Sequence, residues 1–244
     1  MLINSSKKAF IYLDSVRRRN MPAPDESMET ATGMKEAPPA VEEKPEWWAS
    51  PAVVGLMGFG TTTMIAGLSN LPTPYGAGFN GNWVVYGMAI AFGGIAQLIA
   101  GLIALRKGNM FAGSAFMGYG AFWLAFTLML SGVGNFVGGA GATTPVYYGV
   151  AGFAFIWMMF TFSFLINAPK HGWGILMVFL FLFIAFILLV VKFWSLASGS
   201  TTFAADGSAN WAVGGEIIFT GLIAWYVATA DLTNWNYGRK VLPV

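Results

Sequence analysis

Long apolar runs separated by short polar breaks fill the chain after residue 47. A helix needs about 20 residues to cross the hydrocarbon core of a bilayer, which is about 30 Å thick. Each run is close to that length, so the pattern predicts six transmembrane helices. They are placed at residues 49–69, 83–105, 111–131, 147–167, 173–194 and 211–231.

Charged residues are rare in this region and unevenly placed. They make up 10% of the chain, against about 25% in soluble domains. Of the 13 Lys and Arg, all except Lys192 lie in the first 46 residues, in the breaks at 106–109 and 168–172, or near the carboxyl end. Because cytoplasmic loops carry the excess of basic residues, the sequence predicts a multi-pass plasma-membrane protein with both termini in the cytoplasm.

The first 46 residues have a different character, being polar, rich in Pro and Glu, and mixed in charge. A segment of this composition cannot bury enough apolar surface to fold. The fold class that follows is an all-α integral membrane protein of six transmembrane helices, preceded by a disordered cytoplasmic tail. The tail spans residues 1–46 and the transmembrane domain spans residues 47–244.

Composition also excludes several kinds of chemistry. The chain has no cysteine and one histidine, His171, so it cannot form a disulfide, a thiolate nucleophile or a metal or haem site that needs several His or Cys ligands. A net charge of +2 argues against binding to nucleic acid. We therefore predict a protein that is not an enzyme and uses no cofactor or metal.

The first predicted helix is the best candidate for lining a pore. Ser50 is placed as its N-cap and Pro51 at its first helical position. Gly55, Gly58 and Gly60 follow, although a glycine costs a helix about 1 kcal/mol relative to alanine. Close approach of another helix, or room for a solute, would offset that cost.

Polar side chains within the predicted helices are few. Gln97 must find a partner or face water, because an unpaired amide in hydrocarbon is costly; contact between helices and a place along a pathway both remain open. Thr61, Thr62 and Thr63 cover most of one helical turn, and such hydroxyls often bond back to their own helix. We expect one of the three to face inward, where it could donate to an anion.

Three ionisable groups lie within or near the ends of the predicted helices: Lys192, Glu216 and Asp231. Lys192 and Glu216 fall near the same membrane surface, so one hypothesis is a structural ion pair between them. Carboxylates inside membranes are functional candidates by default. A proton-relay role for Glu216 or Asp231 is therefore the alternative.

Five ordered stretches within residues 47–244 resemble the acetate uptake transporter family, the succinate-acetate permeases of microbes. They are SPAVVGLMGFG (50–60), GGIAQ (93–97), KGNMF (107–111), YGAFW (119–123) and GRKVLP (238–243). The family's first motif typically has Asn and a second Pro where this chain has Ser50 and Val53. Loss of the second proline removes a helix kink or start signal, and Ser in place of Asn shortens the polar contact at the mouth of the path.

The resemblance implies a homo-oligomer, commonly a hexamer, in which each protomer carries its own path for acetate, related small monocarboxylates or succinate. Proton coupling is usually proposed for the family. An apolar constriction midway along the path is implied to consist of Phe59, Tyr119 and, by spacing from the Lys170 turn, Leu182. Without the resemblance, Tyr119 would be interpreted as an aromatic residue packed in the core.

A small carboxylate needs hydroxyl, amide or helix N-terminal donors rather than a full countercharge, which would hold it too tightly to release. Thr62, Thr63, Gln97 and the start of the first helix at Ser50 supply such groups. They are the predicted substrate-binding residues. Proton symport and passive anion conduction remain open, and a membrane sensor that acts through its cytoplasmic tail is a third hypothesis.

Overall fold

The computed structural model describes residues 49–76, 83–130 and 144–244, and the prediction of a disordered tail at residues 1–46 lies outside them. Helices make up the regular structure of these ranges. Six helical spans, of which the second consists of three consecutive segments, are long and apolar enough to cross a membrane. The predicted fold class, an all-α integral membrane protein with six spans, is confirmed in this part of the chain. The elements are α1 (Ala52–Ser69), α2 (Trp83–Ile90), a π-helical segment (Ala91–Ala96), α3 (Gln97–Arg106), α4 (Met110–Leu130), α5 (Thr144–Leu165), a short 3-10 helix (Ala168–His171), α6 (Trp173–Ala197) and α7 (Asn210–Tyr237).

The second predicted span is built from α2, the π-helical segment and α3, which run on from one another. Apolar periodicity gave no sign of the π-helical turn. Such turns widen a helix locally and are frequent at functional sites. Here the turn ends directly before Gln97, the amide singled out above.

The last helix extends beyond its predicted end at residue 231. It continues through the polar and aromatic residues Leu232–Tyr237 and stops at Gly238, whose φ of 60° is left-handed. Glycine is the usual residue at this position because it has no Cβ to clash. Asp231 consequently lies within the helix rather than at its end.

The carboxyl-terminal stretch folds back on α7 through polar contacts. Asn234 Oδ1 accepts hydrogen bonds from the backbone amides of Val241 (2.7 Å) and Leu242 (2.9 Å). Asn234 Nδ2 donates to Leu242 O at 2.9 Å, and the Tyr226 hydroxyl donates to Pro243 O at 2.9 Å. The GRKVLP motif therefore has a structural role in closing the end of the bundle.

The most extensive helix packing joins α1 to α7, the first and last spans; α5 also packs closely on α6, and α3 on α4. Two pairs of glycines allow α1 and α7 to touch through their backbones. A Cβ on Gly60 would lie 2.8 Å from Gly221 O, and a Cβ on Gly221 would lie 2.6 Å from Gly60 O. Gly67 and Gly214 repeat this reciprocal contact, at 2.9 and 2.8 Å. Small residues permit such close approach between membrane helices.

Two neighbouring glycines of α7 test this packing. Gly214→Ala should lower the melting temperature of the purified protein, since its methyl group meets a backbone carbonyl at 2.8 Å and such overpacking costs about 1–3 kcal/mol. Gly215→Ala is the matched control, because nothing lies within 4 Å of its Cβ position. The control should be neutral or stabilising, by up to about 1 kcal/mol of helix propensity. Equal melting temperatures for the two variants would contradict the packing described here.

Candidate transport pathway

Two cavities penetrate the helix bundle from opposite ends. The loop-side cavity opens toward the breaks after α1, α4 and α6, and has a volume of about 240 Å³. The turn-side cavity opens toward the tight turns after α3 and α5, and has a volume of about 180 Å³. Both far exceed the space that one water molecule needs, so each has room for a small solute.

Phe59, Tyr119 and Leu182 line both cavities, and within the described ranges no other residue lines both. They come from α1, α4 and α6, and each is at most 5% exposed. The ring centroids of Phe59 and Tyr119 lie 5.4 Å apart, with the ring planes at 58°. The structure thus brings together, where the two cavities approach each other, the three residues that the resemblance assigns to a constriction.

A chain of two hydrogen bonds fixes the hydroxyl of Tyr119. The Thr161 hydroxyl donates its single proton to Trp157 O at 2.7 Å, so in the 2.9 Å contact between Tyr119 and Thr161 the tyrosine must be the donor. Phe160 also packs against the tyrosine ring, edge to face at 5.4 Å. With its proton committed to α5, Tyr119 offers a constriction wall that is largely apolar.

The three predicted threonines have different surroundings. Thr61 donates to Met57 O and Thr63 to Phe59 O, both at 2.7 Å along their own helix. Thr62 is fully buried, lines neither cavity, and makes a long contact of 3.4 Å to Met88 O. Thr63 alone of the three lines a cavity, the loop-side one, and there it presents an oxygen acceptor because its proton is already used.

Gln97 lies in the wall of the turn-side cavity and is 1% exposed. Its Oε1 has no hydrogen-bond partner among the described residues. A buried amide oxygen without a partner costs about 1–3 kcal/mol, which is unusual unless water or a ligand pairs with it. Asn109 and His171 line the same cavity; Asn109 Oδ1 accepts from the Ala112 amide at 3.0 Å, and the His171 ring stacks on Phe111 at 3.8 Å.

Ser50 lines neither of the two cavities. It lines a depression between the start of α1 and the end of α7, together with Asn234 and with Asp231, which also lines the turn-side cavity. Its hydroxyl accepts a 3.3 Å hydrogen bond from the Ala52 amide, while Pro51 occupies the N-cap position. The predicted helix start is therefore one residue early. The structure does not bring Ser50 together with Thr63 or Gln97.

The hypothesis of an ion pair between Lys192 and Glu216 is wrong. Lys192 Nζ donates instead to Asn70 Oδ1, at 2.9 Å. Glu216 accepts a 3.0 Å hydrogen bond from its helix neighbour Thr220 through Oε1, and its Oε2 is buried without a partner in the described ranges. Proximity to the same end of the bundle could not reveal that the two side chains point to different neighbours.

Glu216 and Asp231, the two predicted proton-coupling residues, differ in position. Glu216 lines neither cavity, whereas half-buried Asp231 lines the turn-side cavity. No group of three or more His, Cys, Asp and Glu that could hold a metal is found among the residues described.

Two polar residues of the loop-side cavity were not predicted. Trp123 is 3% exposed, and its indole Nε1 has no partner in the part of the chain described. Its position four residues after Tyr119, on the same helical face, was the available signal. Asn70, at the carboxyl end of α1, lines the same cavity and had no distinguishing signal in the sequence.

Comparison with known proteins bears directly on this arrangement. The family model described as GPR1/FUN34/yaaH matches residues 33–242. The chain belongs to this family. The resemblance to acetate uptake transporters noted from the five motifs is thereby confirmed.

Several proteins named for acetate transport are similar to this chain over most of its length. The succinate-acetate/proton symporter SatP of Escherichia coli K12 is 33% identical over 196 residues, which is 80% of this chain and 95% of that protein. Acetate permease A of Emericella nidulans is 29% identical over 206 residues, 81% of this chain and 66% of the permease. A solved structure of the bacterial acetate channel SatP superposes with a TM-score of 0.68 and 30% identity, covering 81% of this chain and 99% of that one.

Family membership and the six apolar helices together make this chain a multi-pass membrane transport protein and not an enzyme. The cavities and the three residues between them are accordingly the natural place to look for its pathway.

Proposed function

We propose that this protein carries acetate and related small carboxylates, succinate among them, across the membrane through a path within each protomer. The supporting observation is the pair of cavities that meet at Phe59, Tyr119 and Leu182. The path would run from the loop-side cavity, between these three side chains, into the turn-side cavity. The relatives named for acetate transport support the choice of solute.

The constriction would govern what passes. Phe59 and Leu182 have no polar side-chain atoms, and the hydroxyl proton of Tyr119 is given to Thr161. A hydrated ion loses its water shell at such a point without gaining hydrogen bonds, which is the cost that apolar constrictions use for gating. A small carboxylate with a methyl group, or its neutral acid, would cross more readily than a compact inorganic anion.

The turn-side cavity supplies the groups that would hold the carboxylate. Gln97, Asn109 and His171 line it, and they are uncharged or weakly basic donors of the kind that allow release. Gln97 is the proposed binding residue there, through the N–H groups of its amide. Thr63 lines the cavity on the other side of the constriction, but its proton is given to Phe59 O, so it offers the substrate only an acceptor. Thr62 and Ser50 are weaker candidates because neither lines a cavity.

We further propose that uptake is coupled to protons, with Asp231 and Glu216 as candidate carriers. Asp231 is the stronger of the two since it lines the turn-side cavity. A passive acetate channel is the alternative, and both descriptions occur among the relatives, one being named a proton symporter and another a channel. A sensor working through residues 1–46 is the remaining, weaker hypothesis.

Orientation and assembly are also proposals. The basic residues favour a plasma-membrane protein with both termini cytoplasmic and the loop-side cavity facing out. A homo-hexamer, each protomer with its own path, would cover part of the outward-facing apolar surface. Large exposed side chains on that surface include Ile99, Leu102, Ile156, Phe162 and Leu222.

Uptake of labelled acetate into proteoliposomes, with and without an imposed pH gradient at zero membrane potential, tests the function. Accumulation against the acetate gradient, driven by an inward proton gradient and absent from protein-free vesicles, is expected for symport. Flux that only equilibrates acetate would support the channel instead. Absence of protein-dependent flux of acetate, of other monocarboxylates and of succinate would contradict the proposed function.

Phe59→Ala should open the constriction. We expect faster acetate flux and a loss of selectivity, seen as chloride leak, because the truncated side chain no longer keeps the two cavities apart. Phe162→Ala is the matched control, since Phe162 is 45% exposed on α5 and lines neither cavity. Wild-type flux and selectivity in Phe59→Ala would remove this residue from the path.

Gln97→Leu separates a binding role from a packing role. Loss of an amide that has an unpartnered buried oxygen should leave the melting temperature unchanged or raise it, whereas the acetate concentration for half-maximal flux should rise several-fold. The opposite result, lower stability with unchanged half-saturation, would make Gln97 a contact between helices rather than a substrate ligand.

A further inference from the structure

Lys192 is unusual for a lysine of a membrane helix. It is the one Lys or Arg outside the first 46 residues, the two tight turns and the carboxyl end, and it lies near the loop-side end of α6. It is half-buried rather than exposed. Burying an ammonium costs free energy unless it is paired or used, so its position calls for an explanation.

The Lys192 ammonium lies beside the loop-side cavity: Lys192 does not itself line the cavity, but it is hydrogen-bonded to a residue that does. Nζ donates to Asn70 Oδ1 at 2.9 Å, and Asn70 lines that cavity at the carboxyl end of α1. Leu189 and Phe193, its neighbours on α6, line the same cavity. Asn70 Nδ2 is itself bound to Ala66 O at 2.8 Å, so the amide is fixed with its oxygen toward the lysine.

Lys192 keeps donors to spare. An ammonium has three N–H groups, and the bond to Asn70 uses one. The hydroxyl protons of Thr63 and Ser69 are already donated, to Phe59 O and Ala66 O, both at 2.7 Å, and one of the two N–H groups of Asn70 is donated to Ala66 O. An anion entering this cavity would therefore find its direct donors in Lys192, in the second N–H of Asn70 and in the unpartnered indole N–H of Trp123.

Among the residues that the structure describes, Lys192 is bonded to Asn70 and not to a carboxylate. Glu216 is hydrogen-bonded to Thr220, and Asp206 is exposed on the loop before α7. The segments 77–82 and 131–143, which complete the loops on this side, contain no charged residue. The charge of Lys192 is thus available to attract an anion to an otherwise apolar cavity.

We propose that Lys192, tethered by Asn70, forms a capture site that binds small carboxylate anions beside the loop-side cavity before they reach the constriction. This inference rests on the proposed transport of carboxylates. Sharing the ammonium with Asn70 and with solvent limits how tightly it holds an anion, so the site concentrates the substrate without trapping it. Lys192 acts on capture rather than on passage, and its removal should raise half-saturation more than it lowers the maximal rate.

The test measures initial uptake of labelled acetate into proteoliposomes as a function of acetate concentration. It is done at about 0.02 M of an impermeant salt, where the charge of Lys192 is weakly screened, and at about 0.5 M, where it is strongly screened. At low salt, Lys192→Met should raise the half-saturating concentration about three- to tenfold with a nearly unchanged maximal rate. High salt should raise the half-saturating acetate concentration of the wild-type protein and reduce the difference between the wild type and Lys192→Met. Lys192→Arg, which keeps the charge, should stay within about twofold of wild type.

Lys240→Met is the control, because it removes one exposed positive charge at the opposite end of the bundle; it should follow the wild-type curve. If Lys192→Met does not purify as a folded protein, Lys192→Gln replaces it and should show the same salt-dependent rise. Asn70→Ala keeps the charge of Lys192 but removes its hydrogen-bond partner, and should raise the half-saturating acetate concentration less than Lys192→Met does.

A Lys192→Met curve that overlaps the wild-type curve at low salt would overturn the capture site. A loss that is equal at both salt concentrations and is not restored by Lys192→Arg would overturn it too, since that is the behaviour of a structural residue. No acetate flux in the wild-type protein would overturn the proposed function and the capture site together, whereas wild-type flux with an unchanged Lys192→Met variant would overturn the capture site alone.

Discussion

Backbone contact between α1 and α7 is the constraint on which the rest of the arrangement depends. Gly60 meets Gly221 and Gly67 meets Gly214 with no room for a Cβ, so the two helices are fixed in depth and rotation relative to each other. Phe59 precedes Gly60 directly. Because adjacent residues on a helix point about 100° apart, the glycine can face α7 while the phenylalanine faces the cavities. The packing that closes the bundle therefore also sets the position of the constriction.

Most of the hydroxyl groups near the path already have hydrogen-bond partners within the protein. Hydroxyls of Thr63 and Ser69 are bonded to their own helix, and Tyr119 is committed to Thr161. These hydroxyl donors are thus satisfied without substrate, as a membrane interior demands. The exceptions are the donors of Trp123 and Lys192 in and beside the loop-side cavity, and the acceptor oxygen of Gln97 in the turn-side cavity; Trp123 Nε1 and Gln97 Oε1 have no partner in the described residues. Free donors on one side of the constriction suit a carboxylate, and the free acceptor on the other side suits the proton of its neutral acid.

Sequence patterns predicted the spans well because a membrane requires a fixed length and an apolar composition, and both can be read directly from the residues. They singled out Gln97 as a polar residue within a span, whereas Phe59, Tyr119 and Leu182 were assigned through the family resemblance alone, since packing considerations made Tyr119 a core residue. They failed where the partner of a residue depends on the direction of its side chain. Lys192 donates a hydrogen bond to Asn70 instead of pairing with Glu216, and Thr62 lines neither cavity. The π-helical turn before Gln97 also escaped prediction, since it depends on packing against α1, where Gly58 leaves space for Phe92 O.

The natural absence of cysteine allows one direct test of the claim that the two cavities form a single path through the constriction. Leu182→Cys introduces one thiol at that point, in proteoliposomes whose acetate uptake is measured before and after treatment with a small, charged thiol reagent. The account predicts that modification stops uptake, that excess acetate slows the modification, and that a Thr201→Cys control, on the exposed loop after α6 and outside both cavities, reacts without effect. Complete modification of residue 182 with undiminished acetate uptake would contradict it.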